Sequence, residues 1–145
     1  MTAAQQTTDG ATLAVTAAYD GSPITELDQN DVAAVTAAMA TADALFHDRG
    51  QWLALPRRIE ILRATAEIMR ARFEDLAVQA AREGGKPLID SRVEVARAID
   101  GVKLCIEALR TQAGAEIPMN LNAASANRVA FTSFEPIGVV VAVSA

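Results

Sequence analysis

The chain has 145 residues, 51% apolar, 21% charged and only 4% aromatic, with a formal net charge of −5. This balance describes one folded unit with a real core and excludes a disordered or fibrous chain. The acidic balance gives no nucleic-acid footprint, and a single cysteine, Cys105, excludes an intrachain disulfide or a multi-cysteine metal site.

The charge is unevenly spread. Before Pro56 stand Asp9, Asp20, Glu26, Asp28, Asp31, Asp43 and Asp48, against Arg49 as the one base, and the remainder is close to neutral. That pattern reads as a solvated acidic part followed by salt-bridged helix faces. The start, "MTAAQQTTDG", lacks the basic and apolar regions of a secretory signal, and no apolar run is long enough to span a bilayer. A soluble, cytoplasmic protein without membrane partners is expected.

Residues 1–10 are polar and rich in Thr and Gln, and are expected to form a flexible tail. Thr12, Val15, Thr16 and Tyr19 carry a strand signal, Asp20-Gly21-Ser22-Pro23 a turn, and Ile24 to Leu27 a short partner strand, together a loose hairpin. A first helix is expected from Asp28 or Asn30 as N-cap to about His47. Its apolar stripe is Val32, Val35, Met39, Ala42 and Phe46, and "DRGQWLALP" interrupts it at Gly50.

The second helix carries the clearest periodicity. From Pro56, Ile59, Leu62, Ala66, Met69, Phe73, Leu76 and Ala80 recur at alternating three and four, with Arg63, Glu67, Arg70 and Glu74 between them. Read as one uninterrupted helix ended by Gly84-Gly85 and Pro87, it spans roughly 40 Å. A third helix is expected over Leu88 to Thr111 with Val95, Ile99, Val102, Ile106 and Leu109 as its stripe. An irregular connection, "QAGAEIPMNLNAASAN", leads to a half-buried strand over Arg128 to Phe134. After Glu135-Pro136, Val139-Val140-Val141-Ala142-Val143 reads as a strand buried on both faces.

Chemistry is hard to find by motif. No GxGxxG or phosphate-binding loop occurs, and "EGGKP" reads as a helix C-cap and turn. His47, the only histidine, suits the carbonyl end of the first helix. Cys105, beside Ile106 on the third helix's apolar side, reads as a small buried hydrophobe rather than a nucleophile. Glu60, Glu67, Glu74 and Asp75 read as solvent-facing helix charges. From the residues alone this is a mostly helical segment with a few strands and no visible active site.

Three stretches together resemble the aldehyde dehydrogenase superfamily. "RRIEILRATAEIMRARFEDLAVQAAREGGKP" resembles the family's long helix and its Glu-x-Gly-Lys-Pro turn, at Arg58, Leu62, Glu83, Gly85, Lys86 and Pro87. "SRVEVARAID" resembles the opening of the next helix at Glu94 and Val95, and "FEPIGVVVAVSA" the Glu-Pro-hydrophobic-Gly-Val segment at Glu135 to Val139. The likeness runs from about residue 13 to the end, with Gly84 where threonine is commoner and Phe134 where arginine is commoner.

The resemblance implies an α/β fold with a Rossmann-type NAD(P)-binding domain, of which residues 11–145 are the incomplete first part and the valine strand the first strand. Val143, Ser144 and Ala145 then fall where strand-end backbone begins to line NAD or NADP. The implied reaction is oxidation of a small-molecule aldehyde to a carboxylic acid through a cysteine thiohemiacetal, with a glutamate activating water. Cys105 does not match the nucleophile's motif. No residue of this stretch is expected to be catalytic, and the 145 residues alone are expected to be inactive. A homo-oligomer joined through a strand such as 128–134 is also implied. The competing reading is a non-catalytic truncated paralogue or a helical interaction module.

Overall fold

A computed structural model describes residues 12–143. The expected tail over 1–10 therefore lies outside the described residues, as do Ser144 and Ala145. The chain opens with the expected hairpin. Strand β1 (Thr12–Thr16) pairs antiparallel with β2 (Pro23–Asp28) in a register set by Leu13 opposite Leu27 and Val15 opposite Thr25. Proline at the first position of a strand is tolerated because it leaves the ladder beyond it intact. In the turn, Ala17 N–H donates to Ser22 O at 2.8 Å and Ser22 N–H to Asp20 Oδ1 at 3.0 Å.

Helix α1 (Val32–His47) starts one residue later than the sequence suggests. Its N-cap is Asp31 rather than Asp28 or Asn30, because the Asp31 carboxylate accepts from Ala34 N–H at 2.6 Å and so satisfies a donor of the first turn. Residues up to Asp28 are instead taken by the β2 ladder. A short 3₁₀ turn, Arg49–Gln51, follows.

The long second helix is two. Helix α2 (Leu55–Ala71) and helix α3 (Phe73–Gly84) meet at Arg72, whose φ of −103° and ψ of 22° leave the helical region. No glycine or proline marks the break. Arg72 N–H still donates to Ile68 O and Leu76 N–H to Arg72 O, both at 3.0 Å, so the apolar phase passes through undisturbed. Both halves pack on helix α4 (Leu88–Thr111), whose limits agree with the sequence reading. The stripe from Ile59 to Ala80 does face inward, and every member is at least partly buried.

The core lies between α3 and α4. Ala77, Val95 and Ile99 form its centre, with Met69, Phe73, Leu76 and Leu88 around them. Alanine at 66 and 77 lets the backbones approach closely, which an aromatic-poor sequence favours. Ser91, on the α4 side, is fully buried, and its Oγ has no hydrogen-bond partner.

The C-terminal third departs most from expectation. Only Ala130–Phe131 of the 128–134 segment forms a strand, β4, paired antiparallel with β3 (Glu116–Ile117). Val129, Phe131 and Phe134 are exposed. Val139 to Val143 is not a strand here, and Val140 is 72% and Val143 93% exposed. A strand takes its hydrogen bonds from a neighbour, and among the described residues none lies beside it. Cys105 is also exposed, not buried: it sits one position off the face that carries Ile99 and Ile106. Among the described residues no helix is long and apolar enough to cross a membrane.

Candidate functional site

The turn that ends α3 and the terminal segment are the two places where the sequence motifs become geometry. At the first, Gly85 takes the left-handed conformation, φ 61° and ψ 28°, which closes the helix as "EGGKP" suggests. A Cβ there would stand 2.9 Å from Ala18 Cβ, so the glycine also admits the hairpin, which is anchored by Ala18 N–H donating to Arg82 O at 3.2 Å. Lys86 pairs with Glu94 across the turn into α4, and Gln79 donates to Glu83 at 2.8 Å. At the start of α3, Glu74 is gripped by the Arg92 guanidinium of α4 with contacts of 2.9, 3.1 and 3.2 Å. The charged motif residues Glu83, Lys86 and Glu94 thus bind one another or near neighbours on the helices. Their visible work is to fix the α3–α4 corner.

The second place is where the Glu135–Val143 segment passes α1. Arg49, in the 3₁₀ turn, donates to both oxygens of Glu135, at 2.7 Å through Nη2 and 3.2 Å through Nη1. Its guanidinium carbon lies 5.0 Å from the centre of the Trp52 ring. Trp52 is itself held: Nε1–H donates to Phe46 O at 2.9 Å, and its ring stacks on Phe46 at 6.0 Å. Beyond this cluster Gly138 adopts φ +129°, which side-chain-bearing residues rarely adopt. Two open grooves, of about 420 and 370 Å³, run between α1 and this segment. Phe46 and Trp52 line the first and Val35 and Met39 the second, with Val139 and Val140 on the opposite side of each.

Of the three residues expected at the cofactor, only Val143 is described, and it stands almost wholly in solvent. Among the described residues, no backbone-to-backbone hydrogen bond joins any residue from Glu135 to Val143. Small apolar side chains and free backbone donors and acceptors are what a strand end offers to a phosphate or ribose.

Elsewhere the chemistry is sparse. His47 Nδ1 lies 2.9 Å from Asp43 O, in the last turn of α1 as expected. Among the described residues no group of three or more His, Cys, Asp or Glu could hold a metal ion. Asp20 is held below the ordinary carboxylate range, first by the Ser22 backbone N–H, and Glu67 by the hydrogen bond and charge of Arg70. Both are exposed and far from acid–base work. Arg49 and Trp52 were not singled out from the sequence. The available signal was Arg49 as the one base in an otherwise acidic stretch.

Three helices packed about the α3–α4 corner, with two small hairpins and a valine-rich segment that has no strand partner, make a mostly helical part of a larger fold. The sequence model of the aldehyde dehydrogenase family matches residues 5–145, and the chain belongs to that family. An aldehyde-dehydrogenase-like protein of Sinorhizobium fredii is 31% identical over 142 residues, 95% of this chain and 27% of that one. The 3-sulfolactaldehyde dehydrogenase of Priestia aryabhattai is 32% identical over 127 residues, 87% of this chain and 26% of that one. The chain thus spans about a quarter of the length of these curated relatives.

Among solved structures, aldehyde dehydrogenase 21 from Physcomitrella patens, in complex with the reaction product succinate, superposes with a TM-score of 0.73. It is 27% identical, and the match covers 82% of this chain and 24% of that one. The glyceraldehyde-3-phosphate dehydrogenase of Methanocaldococcus jannaschii, complexed with NADP, gives 0.70 at 25% identity, covering 78% and 24%. The α/β family fold expected from the sequence is therefore the one this segment adopts its part of.

Proposed function

We propose that these residues form the first part of an NAD(P)-dependent aldehyde dehydrogenase, which oxidises a small-molecule aldehyde to a carboxylic acid. The observation that carries this reading is the family match over residues 5–145, together with a relative solved with NADP. NAD(P)+, when bound, supplies the hydride acceptor.

The part played by this chain's own residues is binding and support. Val143, Ser144 and Ala145 contribute backbone to the cofactor site, which suits a segment whose main-chain groups are free up to Val143. Helix α1 and the 3₁₀ turn after it carry the segment, through Arg49 on Glu135 and the grooves lined by Val139 and Val140. Neither Cys105 nor His47 serves the chemistry. Cys105 stands exposed on α4 without a histidine or carboxylate partner among the described contacts, and the His47 ring nitrogen is engaged at the end of α1. The nucleophile and the base belong to the complete polypeptide, and residues 1–145 by themselves carry no turnover. Assembly with further copies uses the 128–134 region, where Phe131 and Val129 are exposed beside the short β4 edge.

The test is aldehyde-dependent formation of NADH or NADPH by the complete polypeptide encoded in the reading frame that contains these residues, with the isolated 145 residues alongside. Carboxylic acid formed in step with reduced cofactor by the former, and none by the latter, is the expected result. A complete polypeptide that binds neither NAD nor NADP, or an isolated segment that turns over aldehyde, overturns the reading.

A further inference from the structure

No further inference is drawn: the strongest candidate, the β3–β4 ribbon with its exposed Ile117, Val129 and Phe131, belongs to the assembly surface already described, and nothing in the structure shows what covers it.

Discussion

Substituting Gly85 by alanine separates two effects that meet at one atom. The first is conformational. Gly85 sits at φ 61°, and a residue with a Cβ is disfavoured there by about 1 kcal/mol. The second is contact. The new Cβ would lie 2.9 Å from Ala18 Cβ, well inside the 3.5–4.0 Å at which carbon atoms pack. Ala18 is exposed, yet it is not free to retreat. Its N–H is bonded to Arg82 O, and Ala17 N–H to Ser22 O, so the hairpin would have to shift as a body. Overpacking of this kind costs about 1–3 kcal/mol, which brings the expected destabilisation of Gly85→Ala to about 2–4 kcal/mol, or roughly 6–14 °C in Tm for a chain of this size. Ala18→Gly removes the contact and leaves the strained φ. In that background Gly85→Ala should cost only about 1 kcal/mol, and the cycle should return a coupling of about 1–3 kcal/mol. Urea denaturation of the four proteins measures it. A coupling within about 0.5 kcal/mol of zero would refute the idea that the hairpin is seated against this glycine.

Two further outcomes follow from individual groups. Ser91→Ala removes a hydroxyl that is buried without a partner, so stability should hold or rise by up to about 1–2 kcal/mol in denaturant titration; a loss above about 1 kcal/mol would mean the hydroxyl has a partner. Asp20 has its carboxyl held below the ordinary range by the Ser22 N–H, so its contribution is present above the ordinary carboxylate pKa and is lost as pH falls through the depressed folded value. Asp20→Ala should therefore lower Tm at neutral pH, and the gap to the parent should close on acidification. A gap that widens in acid contradicts the assignment.

The helices were legible because each closes its hydrogen bonds within itself and declares its buried face by spacing. Leu88–Thr111 and the Ile59–Ala80 stripe are found where the periodicity puts them. The Arg72 break was not legible, and the reason is the same periodicity. The hydrogen bonds that bridge it keep the three-and-four phase, so nothing in the pattern registers the change. The N-cap of α1 was misplaced because Asp28, Asn30 and Asp31 are all competent caps, and only the extent of β2 decides among them. Cys105 was misplaced by one position on a helix, where one position is 100° of rotation. The Arg49–Glu135 pair could not be read at all, since it spans most of the chain and neither residue carries a local signal for the other.

The valine segment presents the opposite case: its pattern is clear and its structure is not formed. A strand depends on neighbours for its ladder and on layers over both faces for its side chains, and neither requirement is local. Val139 to Val143 carries the composition of such a strand while its backbone is unpaired among the described residues. Helix α1 shows the same mismatch. It has no buried residue, although Val32, Val35, Leu45 and Met39 are large and apolar. A helical interaction module would account for an exposed α1 face but gives no reason for an adjacent stretch of β-branched residues with open main-chain groups. A sheet built on that stretch, with α1 as part of a covering layer, accounts for both at once. That is the arrangement an α/β nucleotide-binding domain requires, so the two exposed surfaces support the dehydrogenase reading over its competitor.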